Sequence, residues 1–467
     1  MSGLERLALG CILPGFPGHE PPEWLLRLLD AGLGGVVLFA WNVASPEQVR
    51  SLTDALRARS PELLIGLDEE GGDVTRLEAA EGSSYPGNLA LGVVDDTELT
   101  CAVAAAMGGD LARAGVNLNL APVADVNTNP RNPVIGVRSF GSDPELVARH
   151  VVAFVEGTQS QGVAACAKHF PGHGDTSVDS HLALPTAGGD LEAALVPFRA
   201  AVDAGVVAVM PGHLLVPGLD DELPASLSFR AVSGLLRGEL GFDGLVVSDA
   251  LEMQAVSASF GVEESAVLAL AAGVDALCLG HDLGEHAVER VVRAVVAAVE
   301  EGRLAEGRLE QACGRIRAVH VGSSEAEPDR SVGLEVARRA LLSSGEVHVG
   351  ERPLVVELVP RANIAAGAAA HGLGDLLPRG QVVRIHEGEP LPDGDSTRPL
   401  VLVVCDAGRH EWQQEAARVL LGRHERTVVV ETGLPGWTPA AATGHVVTHG
   451  AGRVNLQAAA EVLAPPG

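Results

Sequence analysis

Positive charge is scarce in this chain. Lysine and arginine together number 33 against 61 aspartates and glutamates, which leaves a formal net charge of −28 at neutral pH. A nucleic-acid backbone or an anionic membrane surface would be repelled over most of such a molecule, so neither is expected as a partner. Paired cysteine motifs are lacking too. Cys11, Cys101, Cys166, Cys278, Cys313 and Cys405 are scattered, form no C-x-x-C pair and fall largely in apolar stretches, as buried free thiols do. No run of about 18 apolar residues is free of charges and turn signals, so no membrane-spanning helix is expected. The opening residues Met1-Ser2-Gly3-Leu4-Glu5-Arg6-Leu7 lack a basic region followed by an uninterrupted apolar stretch and a small-residue cleavage site. Together with the free thiols, this sets the expectation of a cytoplasmic protein.

What is present suffices for well-packed cores: 46% of residues are hydrophobic and 20% charged, unlike a disordered chain. At 467 residues the chain exceeds one ordinary domain, since domains run to roughly 100–200 residues. Up to about residue 320, short apolar runs alternate with longer amphipathic segments. The runs are Gly35 to Phe39, Leu63 to Leu67, Val116 to Leu120, Ala164 to Ala167, Val206 to Met210, Leu245 to Ser248 and Ala276 to Leu279, with a weaker eighth at Leu7 to Ile12. That repeat predicts α/β architecture with a parallel sheet, and the count of eight favours a closed (β/α)8 barrel of the TIM type over residues 1–325. A polar stretch around Pro328 breaks the repeat and a helix follows, so 326–345 is assigned to the connection. Residues 346–467 carry five further apolar runs and are expected to form a smaller α/β/α layered domain, a packed scaffold without a catalytic cluster.

Chemistry concentrates in one place. Lys168-His169-Phe170-Pro171-Gly172-His173-Gly174-Asp175-Thr176-Ser177-Val178-Asp179-Ser180-His181 packs three histidines, two aspartates and a lysine among small residues. Such a stretch supplies proton carriers and acceptors on a backbone that can fold closely around a ligand. It starts where an apolar strand ends. Other polar residues also follow strands, namely Asp68-Glu69-Glu70, Asp125, His213 and Asp249, and in a barrel all these ends share one face. Taken singly, Glu69, Glu70 and Asp125 read as solvated loop residues, and Asp249 as a capping aspartate at a strand-to-helix turn.

The combination resembles glycoside hydrolase family 3, specifically its β-N-acetylglucosaminidases. The resemblance rests on Lys-His-Phe-Pro-Gly-His-Gly-Asp, on Asp179-Ser180-His181, and on Ser248-Asp249-Ala250-Leu251-Glu252-Met253. Asp68-Glu69-Glu70-Gly71-Gly72 and the segment Ile135 to Pro144 match further family motifs in the expected order, so the likeness covers the whole barrel. The C-terminal part also resembles the family's second domain, in shorter form. The resemblance implies that Asp249 is a nucleophile forming a glycosyl-enzyme intermediate, with overall retention. It implies that His181 on a loop is the acid/base, with Asp179 holding its tautomer. It further implies that Asp68, Arg138, Lys168 and His169 hold the hydroxyls of an N-acetylglucosamine ring. His173 is assigned to bracing its loop, and His213 fits a substrate contact and a loop brace equally.

No cofactor is implied. A metal site built from His169, His173, Asp175, Asp179 and His181 is disfavoured, because no helix-borne ligand pair exists and prolines and glycines intervene. A non-catalytic sugar-binding protein would need neither nucleophile nor dyad. The sharper alternative is a phosphorylase, since an imidazole acid/base, unlike a carboxylate, does not repel an incoming phosphate dianion. A cytoplasmic member of the family would be expected to act on small carbohydrates, above all peptidoglycan-derived muropeptides.

Overall fold

A computed structural model describes residues 1–280, 283–319, 327–350, 352–361, 364–367, 372–377, 380–392 and 397–464. The first half holds eight short parallel strands: β1 (Ile12–Pro14), β2 (Gly35–Leu38), β3 (Leu64–Leu67), β4 (Leu118–Asn119), β5 (Ala164–Phe170), β6 (Ala208–Pro211), β7 (Leu245–Val246) and β8 (Leu277–Leu279). Strands β2 to β7 form one parallel ladder in chain order, and β8 pairs with β1. The parallel bridge Val247–Ala276 links β7 to β8, and β1 lies beside β2, so the sheet curls round on itself.

Side-chain alternation shows why the strands close. Leu13, Val37, Leu64, Leu118, Cys166, Met210, Leu245 and Cys278, one from each strand in turn, form a single buried cluster inside the ring. Their neighbours Ile12, Val36, Ile65, Ala165, Val209, Val246 and Leu277 point outwards into the larger core shared with the helices. The surrounding helices begin where the sequence provides caps. Ser45 and Asp143 accept backbone N–H groups ahead of Pro46–Arg57 and Pro144–Ser160, each of which starts with proline. Helix Gln254–Ala272 is long and apolar enough to cross a membrane by length and composition alone; here it sends Val256, Ala266, Val267 and Leu270 into the barrel's outer core.

The weak strand expected at Leu7 to Ile12 is corrected. Gly3–Leu9 is helical, because Ser2 and Glu5 form a reciprocal capping box, and the strand starts only at Ile12.

The second half contains β9 (Leu342–Gly345), β10 (Leu354–Val359), β11 (Gln381–His386), β12 (Leu400–Val404), β13 (Thr427–Glu431) and β14 (Gly444–Val447), in spatial order β11-β10-β12-β13-β14-β9. All pairs are parallel except β14 with β9. The stretch Leu342–Gly345, assigned to the connection from sequence, is thus an antiparallel edge strand of this sheet. One face packs on helix Glu411–Leu421 and the other on helix Arg453–Leu463, which makes the three layers. Helix Ser331–Ala340 ties the halves together. It places Val332 and Val336 in the barrel's core and Ala337 against Val454 and Ala458.

Candidate active site

The polar residues that follow the barrel strands converge at one end of the ring. Lys168 ends up 2% exposed, a position a lone ammonium could not occupy cheaply. Its Nζ donates to Asp68 Oδ1 and reaches Glu70 Oε1, both at 2.7 Å. Glu70 in turn takes a bidentate pair from Arg138, 2.9 Å from Nε and 2.8 Å from Nη2. Two cations and two carboxylates therefore neutralise each other in a linked row. Burial alone would raise the Glu70 carboxyl, but Arg138 and Lys168 outweigh it and hold it well below the usual range. Burial would likewise lower the Lys168 ammonium, and Asp68 and Glu70 reverse that.

Asp125 is fully buried after β4 and organises the next part of the site. His169 Nδ1 donates to its Oδ2 at 2.7 Å, and the backbone N–H of His173 donates to its Oδ1 at 2.6 Å. The His169 ring is thereby fixed, and Nε2 is the nitrogen left for a ligand. Burial pushes the Asp125 carboxyl up, but His169 and His173 bring it below its ordinary value. The reading of Glu70 and Asp125 as solvated loop residues is overturned, and Glu69 goes with them. Glu69 is 2% exposed and accepts the N–H groups of Arg76 and Leu77, while burial pushes its carboxyl up to about 7. Glu69 and Glu70 stand two and three residues beyond β3 and Asp125 six beyond β4, positions that look the same in sequence whether the charge meets solvent or a buried partner.

Asp249 stands three residues beyond β7, half-buried, with the Ala250 N–H donating to its own Oδ1 at 2.8 Å. Burial raises its carboxyl, yet His213, His169 and His181 lie close enough to outweigh that, and the net shift is downwards. An ionised carboxylate ringed by imidazoles is suited to attack an electrophilic carbon. His181 Nδ1 donates to Asp179 Oδ1 at 2.7 Å, and its backbone N–H donates to the same oxygen at 2.9 Å. Burial raises the Asp179 carboxyl, and the bonds from His181 bring it below its ordinary value. The imidazole is only partly covered, so Nε2 remains for proton transfer. Ala255, on the segment after Asp249, donates to Ser180 O at 3.3 Å and seats the loop of Asp179 and His181 against the segment that follows Asp249.

Two other histidines are engaged by protein groups through both ring nitrogens. His213 is wholly buried, with Nδ1 2.6 Å from Ser226 Oγ and Nε2 3.0 Å from Ala250 O, so both ring nitrogens have partners and one of them is on the turn that carries Asp249. His173 contacts Thr176 Oγ1 through Nδ1 and Ser180 Oγ through Nε2. The side chains weighed as metal ligands go separate ways: His169 to Asp125, His181 to Asp179, and Asp175 to the N–H groups of Gly188 and Gly189. All six cysteines are free thiols, four of them buried and Cys101 and Cys405 half-buried.

The model of the glycosyl hydrolase family 3 N-terminal domain matches residues 18–319. A β-hexosaminidase A of Pseudoalteromonas piscicida is 33% identical over 69% of this chain, which spans 58% of that relative's own length. A β-hexosaminidase of Neisseria meningitidis serogroup C is 40% identical over 53% of this chain and 72% of its own. In structure, a glycoside hydrolase family 3 β-N-acetylglucosaminidase from a Paenibacillus species superposes with a TM-score of 0.88 at 33% identity, covering 99% of this chain and 97% of that one.

Proposed function

The chain belongs to glycosyl hydrolase family 3, and from that premise we propose that it is a retaining exo-β-N-acetylglucosaminidase. The observation that carries the proposal is the Asp179–His181 pair seated beside the ionised Asp249. Asp249 attacks the anomeric carbon while His181 Nε2 gives its proton to the leaving oxygen. The glycosyl–Asp249 ester is then displaced by a water from which His181 takes a proton, so the configuration is retained. Asp179 stabilises the imidazolium at the stage when His181 holds that extra proton. The row Asp68–Lys168–Glu70–Arg138, together with His169, offers donors and acceptors to the sugar hydroxyls.

The acceptor we take is water; phosphate, which a histidine acid/base also admits, is the alternative that the test below separates. Small N-acetylglucosaminides released from peptidoglycan, met in the cytoplasm, are the substrates we propose. The test is to incubate the protein with an aryl β-N-acetylglucosaminide with and without inorganic phosphate and identify the sugar product. Free N-acetylglucosamine in both cases supports the hydrolase; N-acetylglucosamine 1-phosphate in the second would replace it with a phosphorylase. A muropeptide left intact by a protein that cleaves the aryl substrate would remove the peptidoglycan assignment alone.

A further inference from the structure

Asn132 lies in the loop after β4, is fully buried, and faces two ways. Its side-chain Nδ2 donates to His173 O at 2.8 Å and to Thr176 Oγ1 at 3.3 Å, both on the loop that carries the dyad. Its own carbonyl accepts from Arg409 Nη1 at 2.7 Å, and Arg409 belongs to the second domain. From Thr176 the chain of contacts continues inwards. Thr176 Oγ1 is 2.6 Å from His173 Nδ1, and His173 Nε2 is 3.2 Å from Ser180 Oγ, the residue between Asp179 and His181. Asn132, Thr176, His173 and Ser180 are all at most 3% exposed, so water competes little for these bonds.

The outer end is equally fixed. Asp406 Oδ2 accepts from Arg409 Nη1 at 3.1 Å, and Asp406 Oδ1 accepts from the Leu434 N–H at 2.7 Å. Glu431, 1% exposed at the end of β13, receives the N–H groups of Asp406, Ala407 and Gly433. The turn bearing Arg409 is thus clamped to the next strand's turn, and Asp406 itself takes the left-handed conformation at φ 53°. Nothing in this arrangement resembles a loose surface contact.

We infer that Arg409 of the second domain is a positioning residue for the acid/base, holding the His181 loop in register through Asn132, Thr176, His173 and Ser180. This rests on the glycosidase reading above, because it deepens the role of the same dyad. A dyad displaced by a fraction of an ångström still folds and still binds sugar, but it delivers its proton to the leaving oxygen less well. The effect should therefore depend on how much the leaving group needs protonation.

The experiment measures kcat/KM, which reports the steps up to glycosyl transfer, on a β-1,4-linked N-acetylglucosamine disaccharide and on a dinitrophenyl β-N-acetylglucosaminide. Arg409→Ala is expected to lower the disaccharide value about tenfold and the dinitrophenyl value less than about twofold. Arg409→Lys, which keeps one donor for Asn132 O, should recover much of the difference. Equal losses on both substrates, or no loss on either, would overturn the positioning role. Should Arg409→Ala not fold, Arg409→Lys and Arg409→Gln are compared on the same two substrates, with the ratio between them deciding in the same way. Failure of the wild-type protein to cleave either substrate would instead overturn the glycosidase reading, so the two are separable.

Discussion

At the scale of residues, the site divides carboxylates and histidines by their partners. Asp249 has imidazoles on several sides, which keep it ionised below the ordinary carboxylate range despite burial. A depressed value means that Asp249, the nucleophile we propose, stays charged as pH falls through about 3.9, where an ordinary aspartate protonates. The acid limb of kcat/KM on an activated aryl substrate should lie below about pH 4, and a limb above pH 5 would contradict that assignment. Asp249→Ala should abolish turnover. His181→Ala should cost on the order of 10²-fold or more with a sugar leaving group and far less with a dinitrophenolate, with Asp179→Ala following in the same direction more weakly. Asp125→Asn should act on both substrates. It removes the charge that fixes the His169 ring in the proposed sugar site, so both should lose about tenfold or more. Because Asp125 also holds the His173 N–H, a further, smaller loss is expected on the sugar leaving group, and an undiminished rate on the aryl substrate would remove His169 from the sugar site. The bond between Asp179 and His181 was legible in the sequence from the Asp-x-His spacing. Glu70 and Asp125 were not, since a charge after a strand looks the same whether it meets solvent or a buried cation.

At the scale of elements, the loop that carries the dyad owes its shape to packing against the loop after β4. Asn129 Nδ2 donates to the carbonyls of Asp175 and Thr176, the N–H of Asn129 donates to Gly174 O, and Asn132 adds the bonds described above. Gly174 is where the two loops come closest: a Cβ there would meet the carbonyl of Val126, which is backbone and cannot swing aside. Gly174→Ala should therefore lower stability by about 1–3 kcal/mol and depress cleavage of sugar leaving groups more than of activated ones, as read from denaturant midpoints and substrate ratios. A neutral variant would mean the loops part without cost. This contact was hidden from the sequence, where Gly174 looks like one more turn residue in a polar stretch. Secondary structure was read best where one period persisted. It failed at Leu7 to Ile12, an apolar run divided between a helix end and a strand start, and at Leu342-Ser343-Ser344-Gly345, whose exposed residues give no strand signal at an edge.

At the scale of the whole molecule, the contacts between the barrel and the second sheet leave no trace in composition. Much of the seam is made of single bonds to backbone groups, which leave no pattern: Arg76 to Ala365 O, Arg409 to Asn132 O, Arg453 to Gly82 O, and the Ala451 N–H to Asp73 Oδ1. Asp73 carries a pH dependence across this seam. Burial pushes its carboxyl up, the Ala451 N–H pulls it partly back, Asp406 of the second domain pushes it up again, and the outcome is about 6. With the folded value raised above the roughly 3.9 of an unfolded aspartate, its contribution is fully present below about pH 3.9 and is lost as pH rises through about 6. Between pH 5 and pH 7.5 the ionised Asp73 should thus cost the seam on the order of 1–2 kcal/mol. Thermal unfolding of Asp73→Asn, compared with wild type across that interval, should show the difference between the two proteins shifting in the variant's favour as pH rises. A constant difference would mean that Asp73 ionises freely and that the seam does not register its charge.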